Sequence, residues 1–242
     1  MGRVAICYWG MTRSTRHVYK SHEENLRAPL NQAGISYDIY MHTWATDTNR
    51  IWNKDSPIPC DYEEYRLLRP TAYKIDDQAA FLEEIDWSQY FNKSLWDSKG
   101  DCPQGEWWPE LIRNHLCALE SMKRVTQMIE GVYDYVLYMR PDAEIYTPLP
   151  VSALTNLSGN DIAIPAYDSN EGYNDKFAAM CYDQCKPYAF RIDCAAEYRR
   201  GNGRIVSEKY TKFIVDAHYR LKPIEFRFAL CRPDGTRLKP AW

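Results

Sequence analysis

An apolar run that leads straight into a proline and two carboxylates is the feature that most constrains the fold of this chain. The run Tyr135–Met139 is followed by Arg140 and Pro141, and then by Asp142 and Glu144. A continuous apolar segment of this length, bounded by turn residues, is typical of a strand covered on both faces in a parallel sheet. Open α/β sheets bind ligands at the carboxyl ends of such strands. The run therefore predicts a ligand site around the two carboxylates.

The segments before this run have the order of a parallel α/β fold. Residues 3–9 predict a first strand, residues 16–30 a helix and residues 36–44 a second strand, which together make a βαβ unit. A longer helix is predicted over residues 109–131, where apolar side chains recur at three- and four-residue steps. We therefore expect an α/β fold with a mostly parallel central sheet, helices on both faces and a Rossmann-like nucleotide-binding half.

The remaining segments have weaker secondary-structure patterns. Residues 161–167 predict a short buried strand, residues 174–192 a helix and a turn, residues 207–221 a further helix, and the stretch "PIEFRFALCRPDG" an edge strand with a turn. Prolines and polar clusters between residues 45 and 108 predict irregular loops and short helices that could form a lid. No repeat or linker interrupts the chain, so we expect one domain over residues 1–242.

Composition excludes several functions. Thirty Lys and Arg against 33 Asp and Glu leave a formal charge of -3, which argues against nucleic acid as the main partner. No apolar stretch is long enough for a membrane span, and the amino terminus lacks signal-peptide character. We therefore expect a cytoplasmic protein whose eight cysteines are reduced thiols. The 8 Trp and 19 Tyr could pack the core or stack on sugar rings.

Two carboxylates on a short turn, Asp142 and Glu144, suit a divalent cation. Carboxylate oxygens are ligands that Mg²⁺ and Mn²⁺ prefer, and the remaining coordination positions could take the diphosphate of a nucleotide-sugar. The alternative is a solvated turn. Arg140 could orient one carboxylate, contact a phosphate or form a structural ion pair. The pattern therefore predicts a Mn²⁺ or Mg²⁺ site at these two residues.

The loop after the first strand, "YWGMTRST", is a second candidate binding element. Gly10 ends the strand, and Thr12 and Arg13 offer a hydroxyl and a guanidinium to a nucleotide before the next helix begins. The chain contains no Gly-x-Gly-x-x-Gly and no Walker sequence. A nicotinamide-dependent enzyme and a P-loop kinase are therefore disfavoured.

Taken in order, five short motifs resemble a known family. They are "VAICYWGMTRST", "YDIYMHTW", "YDYVLYMRPDAEI", "YNDKFAAM" and "SEKY", spread from about residue 3 to residue 215. In this order and spacing the chain resembles polysaccharide glycosyltransferases of the GT-A fold found in bacteria and large DNA viruses. Each motif is short, so the resemblance depends on their order.

The resemblance implies a metal-dependent transfer of a sugar from a nucleotide-sugar donor, with UDP the favoured nucleotide, to a hydroxyl of a glycan acceptor. It places Asp142 and Glu144 at the metal-binding Asp-x-Asp, although Glu144 replaces the usual second Asp. Trp44, at the end of the second strand, could contact the donor or pack in the core. The predicted donor-binding residues are Gly10, Thr12, Arg13, Thr43, Trp44, Arg140 and Asn174.

Asp175 is the predicted general base, with Glu208 as the second candidate. An inverting transfer needs a carboxylate to accept the proton of the attacking hydroxyl, and we favour inversion because carboxylates are present. Alternatively, Asn174 and Asp175 form a turn that caps a helix, and Ser207 and Glu208 begin one.

Two other functions remain open. A sugar-nucleotide nucleotidyltransferase shares the broad architecture, but it would need a loop richer in Gly, Lys and Arg than "YWGMTRST". A non-catalytic carbohydrate-binding protein would account for the aromatic content without any transfer of sugar.

Overall fold

The computed structural model describes residues 2–46, 50–51, 54–55, 60–90, 108–202 and 205–238. Residues 91–107, in the segment predicted as loops and short helices, lie outside these ranges. The strands are β1 Arg3–Trp9, β2 Ser36–Ala45, β3 Arg50–Ile51, β4 Lys54–Asp55, β5 Ala72–Asp77, β6 Tyr135–Met139, β7 Ala143–Ile145, β8 Asp161–Pro165, β9 Phe177–Cys181, β10 Arg220–Ile224 and β11 Phe228–Leu230. The α-helices are α1 Thr15–His22, α2 Ala28–Gln32, α3 Gln78–Glu83, α4 Trp108–Gln127, α5 Val151–Thr155, α6 Lys186–Ala189, α7 Ala195–Asn202 and α8 Ser207–His218.

Seven of these strands form a central, mostly parallel sheet in the order β10-β8-β9-β6-β1-β2-β5. The pairs β1–β2, β1–β6, β2–β5 and β10–β8 are parallel, and β9 runs antiparallel to both of its neighbours. The carboxyl ends of β1, β2 and β6 therefore meet at one edge of the sheet, together with the amino end of β9. The predicted α/β fold class with a mostly parallel central sheet is confirmed.

Helices cover both faces of the sheet, and the strand β1 contributes alternate apolar side chains to the core on each face. Val4, Ile6 and Tyr8 pack with Leu26 and Leu30 of the α1–α2 segment. Ala5, Cys7 and Trp9 point the other way and pack with Met122 and Val125 of α4. Side chains of a strand alternate in this way with a period of two. Full burial of one such large apolar side chain contributes about 1.5–3 kcal/mol.

Several predicted segments need correction. Residues 174–192 were expected to hold a helix and a turn, and α6 Lys186–Ala189 lies there, but Phe177–Cys181 is the strand β9, buried between β6 and β8. A short apolar run fits either element, and here both faces of the run are covered, which favours a strand. The region predicted as irregular loops also contributes β5, the edge strand beside β2. The long helix α4 ends at Gln127, before the left-handed Gly131.

Candidate active site

A cavity of about 550 Å³ opens at the sheet edge where β1, β2 and β6 end. It is lined by Trp9 of β1 and the following Gly10, by Trp44 of β2 and by Arg140 after β6. Gly10 has φ +94°, a left-handed conformation that favours glycine, and nothing lies within 4 Å of where its Cβ would be. Glycine is therefore required there by the turn rather than by a close neighbour. The turn sends the chain from β1 across the cavity into the loop that carries Arg13.

Three loops converge at one end of this cavity. The Ser14 hydroxyl donates to the carbonyl of Cys231 at 2.8 Å, and the Thr15 hydroxyl donates to the carbonyl of Pro141 at 3.3 Å. The Cys231 N–H donates to the carbonyl of Asp142 at 2.8 Å. These bonds fix the loop before α1, the turn after β6 and the end of β11 against one another. They bring together three arginines that are far apart in the sequence.

Two of these arginines, Arg13 and Arg140, bind the buried carboxylate of Asp142. Arg140 donates to both of its oxygens, at 2.8 Å to Oδ1 and 2.5 Å to Oδ2. Arg13 donates to Oδ2 from Nε at 3.2 Å and from Nη2 at 3.0 Å. Burial alone would raise the pKa of Asp142, but the positive charges of Arg140 and Arg13 outweigh burial and lower it. Asp142 is therefore an anion beneath two guanidinium groups that line the cavity.

The third arginine, Arg232, follows β11 and also lines the cavity. Burial lowers the pKa of its guanidinium, and the neighbouring positive charges of Arg13 and Arg140 lower it further. Within the described part of the chain its guanidinium has no hydrogen bond or ion pair. We call Arg13, Arg140 and Arg232, with Asp142 beneath them, the arginine cluster.

A second charged group lies beside the arginine cluster, around Lys176. Its Nζ is 2.7 Å from Asp175 Oδ1, 3.1 Å from Asp168 Oδ2 and 3.4 Å from Glu208 Oε1. Burial alone would lower the pKa of Lys176, but the three carboxylates raise it. Burial alone would raise the pKa of Asp175, but Lys176, His115 and Arg140 together outweigh burial and lower it. We call these four residues, all of which line the cavity, the carboxylate cluster.

A tightly packed loop holds the carboxylate cluster against α8. The Tyr173 N–H donates to the carbonyl of Glu208 at 3.0 Å, and the Asn170 side chain donates to Glu208 Oε1 at 3.0 Å. A Cβ on Gly172 would lie 2.1 Å from the backbone carbonyl of Glu208. Only glycine allows this approach. The loop also holds Asp168 at φ 54° and Asn170 at φ 39°, and these residue types tolerate such angles better than most.

Aromatic side chains complete the wall of the cavity. Trp44 donates its indole N–H to the carbonyl of Cys117 at 3.0 Å and stacks on Phe81 with ring centroids 5.2 Å apart. The guanidinium of Arg140 lies 5.8 Å from the ring centroid of Trp9. Trp44 therefore packs in the core and also borders the cavity.

Six predicted site residues line the cavity: Gly10, Arg13, Trp44, Arg140, Asp175 and Glu208. Five others are not among its lining residues: Thr12, Thr43, Asp142, Glu144 and Asn174. Thr12 donates its hydroxyl to the carbonyl of Asp61, and Asn174 accepts the N–H of Lys176 with its side chain. Their donor-binding roles, like those of the lining residues, stay predictions.

Among the lining residues that sequence reasoning missed are three charged side chains and one histidine, Asp168, Lys176, Arg232 and His115. Lys176 directly follows the predicted base Asp175 in the sequence, and this position could have indicated that it lies at the same site. His115 borders the carboxylate cluster from α4, and burial lowers its pKa to about 4, so its imidazole is neutral at pH 7. Asp168 and Arg232 lie in loops whose return to this edge is visible only in three dimensions.

Asp142 and Glu144 do not fit the predicted Mn²⁺ or Mg²⁺ site in this arrangement. Both oxygens of Asp142 accept hydrogen bonds from arginines. Glu144 is bound by a different arginine, Arg237, at 2.8 and 2.9 Å, and it also accepts the hydroxyl of Tyr146. Among the described residues, no three His, Cys, Asp or Glu side chains are grouped so as to hold a metal ion.

Comparisons with known proteins give only distant similarities. No family model matches the chain, and no curated protein matches it. The apo form of the glycosyltransferase GlyE of Streptococcus pneumoniae TIGR4 is similar at 10% identity and a TM-score of 0.46, covering 92% of this chain and 45% of GlyE. This chain therefore spans about half the length of GlyE.

Two further solved structures are similar over most of the chain. Mouse xyloside xylosyltransferase 1 in its apo form has 9% identity and a TM-score of 0.43, covering 93% of this chain and 85% of that protein. The galactosyltransferase LgtC, in complex with donor and acceptor sugar analogues, has 9% identity and a TM-score of 0.44, covering 90% and 72%. All of these similarities are too distant to assign a residue's role or an activity to this chain.

In the ranges that the structure describes, no helix combines the length and apolar character needed to cross a membrane.

Proposed function

We propose that this chain is a glycosyltransferase that binds a nucleotide-sugar in the cavity and transfers its sugar to a glycan hydroxyl. The observation that carries this proposal is the division of one cavity into an arginine cluster and an adjacent carboxylate cluster. A nucleotide-sugar has a similar division, since its diphosphate is anionic and its sugar offers hydroxyls as hydrogen-bond donors. In this proposal residues 1–242 form one glycosyltransferase domain of the GT-A type.

Each cluster has a role that follows from its charge. Guanidinium groups bind phosphate oxygens with paired hydrogen bonds, which supports placing the donor diphosphate at the arginine cluster. Carboxylates accept hydrogen bonds from sugar hydroxyls, which supports placing the sugar near Asp168, Asp175 and Glu208. The aromatic rings of Trp9 and Trp44 could pack against a base or a sugar face. UDP is the proposed nucleotide.

The proposed reaction is a displacement at the anomeric carbon of the donor sugar. The acceptor oxygen forms a bond to that carbon, and the bond to the diphosphate oxygen breaks, so the electron pair leaves with the nucleotide. The hydroxyl proton passes to a carboxylate, for which we propose Asp175, with inversion at the anomeric carbon. The pKa of Asp175 lies below its usual value, so this carboxyl is ionised at neutral pH but binds a proton weakly. Glu208 is therefore tested beside it.

The experiment is to incubate the protein with UDP-, GDP- and TDP-sugars and a panel of oligosaccharides, and to measure both nucleotide release and glycosylated product. We expect one donor to give both products in equal amounts. Replacing the proton acceptor, by Asp175→Asn or Glu208→Gln, should lower kcat about 100-fold or more. Arg220→Gln, on an exposed arginine of the edge strand β10, is the matched control and should retain activity. Circular dichroism checks that each variant is folded.

Two outcomes would replace this proposal. Binding of glycans with no binding of any nucleotide would identify a carbohydrate-binding protein. Formation of pyrophosphate from a nucleoside triphosphate and a sugar phosphate would identify a nucleotidyltransferase.

A further inference from the structure

The carboxylates predicted as metal ligands are used in another way in this structure. Asp142 is fully buried and holds Arg13 and Arg140 at the wall of the cavity. Glu144 holds Arg237, which is not among the residues lining the cavity. The two carboxylates thus bind different arginines and share no partner among the described residues.

The arginine cluster carries more positive charge than its single carboxylate neutralises. Arg13 and Arg140 are both bonded to Asp142, so one negative charge serves two guanidinium groups. Arg232 adds a third guanidinium, which makes no ion pair within the described residues. It follows Cys231, whose N–H donates to the carbonyl of Asp142 at 2.8 Å, and it lines the same cavity as Arg13 and Arg140. Burial and the positive charges of Arg13 and Arg140 lower the pKa of Arg232, and the negative charges of Asp142 and Asp234 only partly oppose them. An anion in the cavity would relieve this repulsion.

We infer that the arginine cluster binds the diphosphate of the donor and offsets its charge without a divalent metal ion. This inference rests on the proposed function. A divalent cation would neutralise the diphosphate in a metal-dependent transferase, whereas here guanidinium groups already lie at the wall of the cavity. They remain charged at all accessible pH values and offer hydrogen-bond donors in a planar fork that matches phosphate oxygens. Asp142 is a positioning residue that keeps two of them in place.

The test measures nucleotide binding by calorimetry with EDTA and, separately, with Mn²⁺. UDP, GDP and TDP are titrated into the wild-type protein, and the one that binds best is kept, with its nucleoside as the phosphate-free comparison. We expect the Kd in EDTA to lie within about twofold of the Kd in Mn²⁺. Removing one charge-assisted contact, by Arg232→Gln, should weaken binding of the nucleotide about tenfold or more and leave binding of the nucleoside unchanged.

Arg237→Gln is the matched control, because it removes a guanidinium that is bonded to Glu144 and not among the residues lining the cavity. It should bind the nucleotide like wild type. Nucleotide binding seen only with Mn²⁺ would overturn the inference and leave the proposed function standing. Equal affinity of wild type and Arg232→Gln would also overturn it. No nucleotide binding under either condition would overturn the inference and the proposed function together.

Discussion

The two charged clusters of the cavity are built in opposite ways. In the arginine cluster one buried carboxylate, Asp142, is shared by Arg13 and Arg140, with Arg232 nearby, and in the carboxylate cluster one ammonium, Lys176, is shared by three carboxylates. Each central charge keeps groups of the opposite sign in place that would otherwise repel one another. The comparison teaches that the charge shared by several partners organises each cluster, whereas the surrounding charges of opposite sign are available to a ligand.

The largest expected effect comes from removing the central charge of the arginine cluster. Asp142→Asn leaves Arg13 and Arg140 without their shared anion in a partly buried setting, and we expect the free energy of unfolding to fall by about 3 kcal/mol. Urea denaturation at neutral pH measures this. Asp193→Asn is the control, because Asp193 is about half exposed and pairs with Lys123, so its loss should change stability by about 0.5 kcal/mol or less.

A loss well below 1 kcal/mol for Asp142→Asn would show that the arginines do not depend on this carboxylate, and the comparison between the clusters would fail.

The corresponding change in the carboxylate cluster is Lys176→Met. It leaves three carboxylates close together, and we expect a loss of about 2 kcal/mol at neutral pH. This loss should shrink as the pH falls. In the wild type, Lys176 helps to hold the pKa of Asp175 below its usual value. Asp175 therefore stabilises the folded chain at pH values above its usual pKa, and this stabilisation is lost as the pH falls towards the lowered pKa. In the variant burial raises the pKa of Asp175, so the folded chain binds the proton more readily than the unfolded chain.

The readout is the difference in unfolding free energy between Lys176→Met and wild type at about pH 7 and about pH 5. Only the difference is informative, because burial lowers the pKa values of His22, His42 and His115 to about 4 and so makes both proteins less stable as the pH falls below 6.5. Lys209→Met, which removes an exposed partner of Glu171, is the control. A pH-independent difference for Lys176→Met would contradict the assigned role.

A backbone contact distinguishes the carboxylate cluster further. Gly172→Ala would place a Cβ 2.1 Å from the carbonyl of Glu208, so the loop must move away from α8. We expect a loss of about 1–3 kcal/mol, as for other overpacked sites. In Gly201→Ala the new Cβ meets nothing within 4 Å, and the helical position should become slightly more stable, by about 0.5–1 kcal/mol. Equal effects of both substitutions, measured by thermal unfolding, would contradict the close packing.

The sequence predicted the segments in which apolar residues form a clear pattern. The strand Tyr135–Met139 was read from a continuous apolar run, and α4 from apolar residues on one face that are buried as expected. The strand Phe177–Cys181 was missed because five apolar residues do not distinguish a strand from a helix. This segment is a strand because it pairs with β6 on one side and β8 on the other, and that pairing arises only in the assembled sheet.

The sequence indicated which residues would lie near the cavity, but not which charged side chains would pair with one another there. Predicted strand ends placed Arg13 and Arg140 at one edge, the family resemblance added Asp175, and the structure brings the three side chains to one cavity. A pair of carboxylates in the sequence, however, does not indicate whether a metal ion or an arginine neutralises them. Arg232 comes to the same cavity as Arg140 from a loop about ninety residues later, and no local pattern encodes such a return. The same four letters "DAEI" fit a metal site or an arginine-bound turn.

The smallest expected effect belongs to Glu144, the carboxylate that lies outside both clusters. Its side chain and that of Arg237 are partly exposed, at 24% and 38%, so solvent screens their ion pair. Glu144→Gln should therefore lower the free energy of unfolding by about 0.5 kcal/mol, several-fold less than Asp142→Asn. Urea denaturation of the two single variants and the double variant measures whether they are independent. Additive effects would show that Asp142 and Glu144 hold separate arginines, whereas strong coupling would show that they act as one site, as a shared metal ion would require.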